Sequence, residues 1–239
     1  MTFQKKQQQY KLILFDMDGT LLRDKTIHVY AERLGFSDEL SKILASTQKS
    51  YTKIIEIGRF FAGYTQEELL AIFRQIPYNP YVVELAALLS QQPIITAIAT
   101  ASYQFLADDL KKRLNFHYAF GNNLLFDMNR VATGELRIHN SGLKRYHGKI
   151  YSVCKYHILK NLCRYHQISM KETIAVGDGP NDVDMIKKAG LGVAINAPDE
   201  VAQHADLVIS SFEELIPYLP SGLPSVNLSI NHGKPRTTR

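Results

Sequence analysis

Short apolar segments alternate with longer amphipathic segments along residues 91–210. The apolar segments at 94–100, 173–176, 192–195 and 207–209 are rich in Ile, Val and Ala, as is typical of strands buried on both faces. Strands that alternate with helices in this way form a parallel sheet with helices on both sides. The pattern therefore predicts an α/β fold for this part of the chain.

One further apolar segment, at 11–15, lies far ahead of the others. The residues that separate it from the second strand, 21–90, carry helix patterns and few strand signals. Thr65 and Glu68 form a capping-box pattern before apolar residues, which predicts that a helix begins there. The simplest topology inserts this helical segment into the α/β domain directly after the first strand.

The sequence between the second and third strands has a more varied pattern. Helix periodicity covers 103–114 and 150–166. Residues 123–138 contain two segments of strand character on either side of Thr133-Gly134. We therefore predict a hairpin there, with its turn at this pair of residues.

Composition and charge exclude several classes of protein. Of the 239 residues, 45% are hydrophobic and 21% are charged, which is ordinary for a globular protein and excludes a fibrous or fully disordered chain. The net charge is +5, and the chain ends account for all of it through Lys5, Lys6, Lys234, Arg236 and Arg239. Because the rest of the chain is neutral, we expect no nucleic-acid partner. The ends, 1–9 and 219–239, are predicted to be disordered.

The two cysteines, Cys154 and Cys163, are spaced so that they lie on opposite faces of a helix and cannot bridge. Their spacing matches no zinc site. Free thiols and the lack of a signal peptide predict a reducing, cytoplasmic setting. No apolar run approaches the roughly 20 residues of a membrane helix, so no membrane partner is expected. The sequence predicts no oligomeric state.

Polar and acidic residues follow three of the predicted strands where each strand ends. The first strand is followed by DMDGT at 16–20, the second ends in TAS at 100–102, and the third is followed by GDGPND at 177–182. Ligands of open parallel sheets bind at the carboxyl ends of the strands. We therefore expect these three segments to meet at one edge of the sheet.

Four carboxylates would share this edge, those of Asp16, Asp18, Asp178 and Asp182. Crowded like charges raise one another's pKa, and a hard divalent cation such as Mg²⁺ relieves the repulsion. Asp-Gly pairs also form plain turns, but two acidic clusters that each close a buried strand favour a metal site. A dinucleotide-binding loop is a poor interpretation, because Asp182 occupies the third glycine position of that fingerprint.

Together these motifs resemble those of the haloacid dehalogenase superfamily. The resemblance rests on DxDGT at 16–20, Thr100, Lys155 and GDGPND at 177–182. It extends over residues 10–215 and is closest to the phosphoserine phosphatase group, to which the segments 178–185 and 189–196 are very similar.

This resemblance implies a three-layer, Rossmann-like parallel sheet with a small helical cap inserted after strand one. The core would comprise 10–20 and 89–218, and the cap 21–88. The resemblance also implies a Mg²⁺-dependent phosphatase that acts on a small phosphomonoester through an aspartyl-phosphate. Phosphoserine is the default substrate of the group.

Two acids would carry the chemistry that the resemblance implies. Asp16 would attack phosphorus, and Asp18 would protonate the leaving alkoxide and then activate the hydrolytic water. Mg²⁺ would be held by the Asp16 carboxylate, the Asp18 backbone carbonyl and the Asp178 carboxylate. Asp182 and Asn181 would lie beside the metal.

The residues implied to bind the phosphate are Gly19, Thr100, Ala101 and Lys155. Lys155 would also supply positive charge to the transition state. The family commonly has two glycines where this chain has Ala101-Ser102. The backbone N–H of Ala101 remains available, so phosphate binding is retained.

The acid at position 18 discriminates among relatives. The ion-pumping ATPases of the family carry Thr there, and its dehalogenases lack this second acid, so Asp18 favours a phosphatase. Phosphomutases share the Asp and are an alternative. A binding module without activity is disfavoured, because every catalytic position holds a competent residue.

The predicted cap departs from the phosphoserine phosphatase pattern. That group carries a glutamate nine residues after the nucleophile, which pairs with the substrate ammonium, whereas this chain has Lys25. A lysine repels an ammonium and attracts a carboxylate or a second phosphate. Lys25 and Arg59 are therefore the predicted specificity residues of the cap, and an anionic metabolite is the alternative to phosphoserine.

Overall fold

The computed structural model describes residues 10–142 and 150–219. The chain ends predicted to be disordered lie outside these residues, except for Leu219, which is buried in the core. The strands of the described residues are β1 (Leu12–Phe15), β2 (Ile95–Tyr103), β3 (Tyr118–Phe126), β4 (Ala132–Arg137), β5 (Thr173–Gly177), β6 (Leu191–Ile195) and β7 (Leu207–Ile209). They form a seven-stranded sheet in the order β4-β3-β2-β1-β5-β6-β7.

The helices of the same residues are α1 (Thr26–Leu34), α2 (Ser37–Ala45), α3 (Ser50–Gly58), α4 (Gln66–Phe73), α5 (Val82–Leu89), α6 (Gln104–Arg113), α7 (Lys155–Tyr165), α8 (Val183–Lys188) and α9 (Asp199–Ala202). Short 3-10 helices occur at Arg59–Phe61, Met170–Glu172 and Phe212–Tyr218. The helices α1 to α4 follow β1 and are called the helical block below.

Strand β1 lies at the centre of the sheet and pairs in parallel with β2 and β5. All four of its side chains are fully buried, which explains why the segment is apolar at every position rather than alternating. The other pairs are also parallel, except that β3 and β4 are antiparallel. The predicted α/β sheet is therefore confirmed, with one antiparallel edge strand.

The side chains of β1 point alternately into two separate hydrophobic clusters. Leu12 and Leu14 belong to the cluster that contains Ile158 and Leu159 of α7. Ile13 and Phe15 belong to the larger cluster, which also takes in apolar residues of α5, α6 and the helical block. Helices thus cover both faces of the sheet, and the fold has three layers.

The helical block contacts the sheet through an aromatic cluster. The Phe61 ring makes edge contacts with Tyr30 of α1 and with Tyr103 at the end of β2, each at 5.0 Å between centroids. The Tyr30 hydroxyl donates a hydrogen bond to the Leu69 carbonyl at 2.6 Å, which joins α1 to α4. Rings packed in this way contribute more than their buried area alone.

The predicted capping box is confirmed at the start of α4. The Thr65 hydroxyl accepts from the Glu68 backbone N–H at 3.2 Å, and the Glu68 carboxylate accepts from the Thr65 N–H at 2.8 Å.

Helix α5 falls inside the segment predicted as a cap but packs against the 3-10 helix Phe212–Tyr218, and the Pro80 carbonyl accepts a hydrogen bond from the Phe212 N–H.

The predicted hairpin forms, but the position predicted for its turn is wrong. The turn lies between β3 and β4, where the Asp127 carboxylate accepts from the N–H groups of Asn129 and Val131. Gly134 lies inside β4 with a φ of +81°, and a Cβ there would be 3.0 Å from the Ala62 Cβ. The glycine therefore serves close packing against the helical block rather than a turn.

Replacing Phe61 by Ala should destabilise the protein by about 3–5 kcal/mol, because it empties a fully buried aromatic site between the helical block and the sheet. The free energy of unfolding in urea measures this loss. Tyr165→Ala is the matched control, since that ring is 77% exposed, and its change should stay within about 0.5 kcal/mol. A loss below about 1 kcal/mol for Phe61→Ala would contradict the packing described.

Candidate active site

Three carboxylates meet at the carboxyl edge of the sheet. Asp16 follows β1, and Asp178 and Asp182 follow β5, the parallel neighbour of β1. One oxygen from each of these three residues lies within 4.8 Å of the other two. The predicted convergence of the first and third strand ends is therefore observed, and the donor set fits a hard divalent cation.

Lys155 is the buried counter-charge of this cluster. Its side chain is 4% exposed, and its Nζ lies 2.6 Å from Asp16 Oδ1 and 2.5 Å from Asp182 Oδ1. Burial alone would lower the pKa of this lysine, but the two carboxylates outweigh burial and raise it. Lys155 is therefore charged and holds the end of β1 to the loop after β5.

Burial raises the pKa of Asp16 well above its ordinary value, and the Lys155 ammonium opposes this only in part. The neighbouring carboxylates Asp182, Asp178 and Asp18 raise it further. The site thus holds more negative charge than Lys155 neutralises, which favours a second cation.

Asp18 faces different partners from Asp16. Its Oδ1 accepts from the Thr26 backbone N–H at 2.9 Å and from the Thr26 hydroxyl, and its Oδ2 accepts from the Thr100 hydroxyl at 3.4 Å. Burial raises the pKa of Asp18, against the lowering effect of the Thr26 hydrogen bonds. A raised pKa increases the protonated fraction, as a carboxyl that donates a proton requires.

Asp182 shapes the loop that carries Asp178. Its Oδ2 accepts from the backbone N–H of Asp178 at 3.2 Å and of Gly179 at 2.9 Å. A Cβ on Gly177 would lie 2.3 Å from the Asp182 Cγ, so a glycine is required for this approach. Asp182 therefore has a positioning role as well as a place in the acidic cluster.

The ammonium of Lys25 lies directly on the acidic cluster. Lys25 precedes α1, and its Nζ donates to the Asp18 carbonyl oxygen at 2.9 Å and to Asp178 Oδ2 at 2.6 Å. These are two of the three oxygen donors predicted for the metal. A lysine ammonium thus acts as a stand-in cation at this position, which supports the fit of these oxygens to a divalent metal.

A cavity of about 320 Å³ opens above these residues. From the core, it is lined by Asp16, Asp18, Thr100, Ala101, Ser102, Tyr103, Lys155, Gly179, Pro180, Asn181 and Asp182. From the helical block and the segment before it, the lining residues are Lys25, Ile27, Leu44, Ser50, Lys53, Ile54 and Ile57. Asp16, Asp18 and Asp182 therefore share one concave site with Thr100, Ala101 and Lys155 and with side chains of the helical block.

Two predicted site residues lie elsewhere. Arg59 is exposed and lines a separate depression beside Gly134 and Leu136, away from the acidic cluster. Gly19 does not line the described cavity; it has a φ of +86°, and a Cβ there would lie 2.5 Å from Asp178 Oδ2. Gly19 thus makes room for Asp178.

Two threonines of the site were missed by the sequence reasoning. Thr20 donates its hydroxyl to Asp178 Oδ1 at 3.1 Å, and Thr26 holds Asp18 as described above. Thr20 is the last residue of the DxDGT motif, and its membership of this motif is the feature of the sequence that could have indicated a role in the site. Thr26 begins α1, and no motif marks it.

The model of the haloacid dehalogenase-like hydrolase family matches residues 13–187. The chain belongs to this family. Among curated relatives of this hydrolase, the phosphoserine phosphatase of Archaeoglobus fulgidus is 33% identical over 226 residues, which is 90% of this chain and 59% of that protein. The phosphoserine phosphatase of Methanocaldococcus jannaschii is 27% identical over 215 residues, which is 87% of this chain and 97% of that protein.

Solved structures show the same fold. The crystal structure of a phosphoserine phosphatase in apo form superposes with a TM-score of 0.73 at 26% identity, covering 89% of this chain and all of the other. A hydrolase of the same family from Salmonella enterica superposes at 0.79 with 22% identity, covering 92% of this chain and 74% of that one. Within 10–142 and 150–219, no helix of this hydrolase has the length and apolarity to span a membrane.

Replacing Lys25 by Met should tighten Mg²⁺ binding at least about fivefold, because two unit charges 4 Å apart repel by about 1 kcal/mol even in bulk water. Isothermal titration with Mg²⁺ alone measures the change. Lys53→Met is the control, since that lysine lines the same cavity but donates to the Leu44 carbonyl instead. Unchanged Mg²⁺ affinity in Lys25→Met would show that this ammonium does not compete for the metal oxygens.

Proposed function

We propose that this hydrolase is a Mg²⁺-dependent phosphomonoesterase that acts on a small phosphorylated metabolite through an aspartyl-phosphate at Asp16. The observation that carries the proposal is the pairing of Asp16 and Asp182 with Lys155 in the lining of one cavity, with Asp178 in the same carboxylate cluster. Relatives named phosphoserine phosphatase are similar to this chain over most of its length, and they support the same reaction class.

The Asp16 carboxylate, the Asp18 carbonyl oxygen and the Asp178 carboxylate would hold the Mg²⁺ ion, with Asp182 and Asn181 nearby. Oxygen donors of this kind suit Mg²⁺, which typically takes one or two carboxylates together with substrate phosphate. When bound, the ion neutralises charge on the phosphoryl group. The Lys25 ammonium leaves its present partners in that state, because two cations do not share the same oxygens.

In the first half-reaction, a carboxylate oxygen of Asp16 attacks phosphorus and the bond to the ester oxygen breaks. Asp18 gives its proton to the leaving alkoxide, which departs as an alcohol. In the second half-reaction, Asp18 takes a proton from water as that water attacks phosphorus. The bond between phosphorus and Asp16 breaks, and inorganic phosphate is released.

The phosphoryl group lies between positive and neutral donors in this proposal. Lys155 stabilises charge on the phosphoryl oxygens while it stays paired with Asp16 and Asp182. Thr100 and Ala101 line the same cavity, where the Thr100 hydroxyl and the Ala101 backbone N–H would donate to the phosphoryl oxygens. Gly19 allows the close approach of Asp178.

The helical block, which ends at Phe73, acts as the cap of the site in this proposal, within the predicted 21–88, while 10–20, α5 and 89–218 supply the core. Helix α5 is assigned to the core side because it packs against Phe212–Tyr218. A cap excludes water and selects the leaving group. Lys25 is its specificity residue, since a cation beside the leaving group disfavours an ammonium there.

A reducing compartment such as the cytoplasm suits this enzyme. Cys154 and Cys163 are both free and buried. Burial raises the pKa of both thiols, to about 11 for Cys163, so both are protonated and unreactive at neutral pH.

Phosphate release from a panel of phosphorylated metabolites should require Mg²⁺ and stop when EDTA is added. Asp16→Asn should lower release at least about 10³-fold, because it removes the nucleophile. Asp38→Asn, on the exposed surface of α2, is the control and should keep full activity. Undiminished release by Asp16→Asn, or by the native enzyme in EDTA, would overturn the proposal.

Asp18→Asn should slow esters of poor leaving groups more than esters of good ones, because only a poor leaving group needs a proton as it departs. We expect a loss in kcat/KM of about 10²–10⁴-fold for an alkyl phosphate. The loss for p-nitrophenyl phosphate should be at least about tenfold smaller. Equal losses for both esters would refute a general-acid role for Asp18.

A further inference from the structure

The cavity has two chemically different walls. The core wall carries the charged and polar groups described above. The wall from the helical block is formed largely by aliphatic side chains: Ile27 of α1, Leu44 of α2, and Ile54 and Ile57 of α3. Aliphatic linings bind apolar parts of ligands, whereas a few placed polar groups orient them.

Helix α3 contributes two polar residues to this wall. Ser50 and Lys53 share a face of α3 with Ile54 and Ile57. The Lys53 Nζ donates to the Leu44 carbonyl at 2.5 Å, so its ammonium is used to join α3 to the end of α2. The methylene stem of Lys53 therefore adds to the apolar wall.

An amino group on the leaving group would find no available carboxylate among the described lining residues. The carboxylates of that lining are those of Asp16, Asp18 and Asp182, all on the core wall. Asp16 and Asp182 are paired with Lys155, and Asp18 is bonded to Thr26. The charged groups on the opposite wall, Lys25 and Lys53, are both cations.

We infer that the preferred substrate is a phosphomonoester of a hydrocarbon-rich alcohol without an amino group, whose carbon chain packs against Ile27, Leu44 and Ile54. This inference rests on the proposed phosphomonoesterase function and specifies its substrate class. Burying an ammonium without a partner costs free energy, whereas burying methylene groups is favourable. Both effects therefore favour a hydrocarbon-rich leaving group without an amino group.

The decisive comparison is between O-phosphoserine and isobutyl phosphate, assayed with Mg²⁺. Both esters carry two substituents on the carbon next to the ester CH2 group, and in isobutyl phosphate methyl groups replace the ammonium and carboxylate of phosphoserine. We expect kcat/KM to be at least about tenfold higher for isobutyl phosphate. Along the series methyl, butyl and hexyl phosphate, kcat/KM should rise up to about fourfold for each methylene that becomes buried.

Leu44→Ser tests the wall itself. Leu44 is 43% exposed, so the substitution is compatible with folding. The ratio of kcat/KM for hexyl phosphate to that for methyl phosphate should fall about threefold. Val83→Ser is the matched control, an aliphatic helix residue that is 54% exposed and lies outside the cavity lining. In Val83→Ser, the ratio of kcat/KM for hexyl phosphate to that for methyl phosphate should equal that of the native enzyme.

The outcomes separate this inference from the proposed function. Phosphate release that is equal for the two branched esters, or faster from phosphoserine, overturns the substrate class and leaves the phosphatase intact. An unchanged ratio in Leu44→Ser likewise overturns the role of the wall. No release from any ester overturns the proposed function and the inference with it.

Discussion

The site depends on how negative charge is balanced at one edge of the sheet. Because β1 and β5 are parallel neighbours, Asp16 and the loop with Asp178 and Asp182 end at the same edge. Lys155 is buried against two of these carboxylates, and breaking such a buried pair costs about 3–5 kcal/mol. Lys25 is 47% exposed and balances the third. One cation is thus buried in the site, and the other is half-exposed to solvent.

The division between core and helical block separates reaction from selection. The acids that would carry out phosphoryl transfer follow strands whose positions are fixed by the packed sheet, and Lys155 begins α7 of the same core. The groups of the helical block that would meet the leaving group lie on α1, α2 and α3, and this block contacts the sheet through Phe61 and Tyr103. Tyr103 also lines the cavity, so the same residue joins the two parts and borders the site.

The sheet and the acidic cluster could be predicted from sequence because each depends on local patterns. Apolar runs that end in Asp or Gly mark β1 and β5, and a parallel sheet brings such ends together. The turn was predicted at the wrong place because Gly134 was interpreted as a turn residue. Its positive φ instead allows close packing against Ala62, a tertiary contact that the local sequence does not show. The Lys25 ammonium contacts Asp178, which lies 153 residues further along the chain. Rules based on the spacing of nearby residues cannot predict a contact of this kind. Side-chain direction likewise separates Arg59 from the site.

The central claim is that phosphate passes through a covalent bond to Asp16. Reduction with borohydride during turnover converts an acyl phosphate of Asp into homoserine, and peptide mass spectrometry then identifies the modified position. The account predicts homoserine at position 16, dependent on both Mg²⁺ and a phosphomonoester. Reduction at another carboxylate, or turnover without any reduction at Asp16, would contradict it.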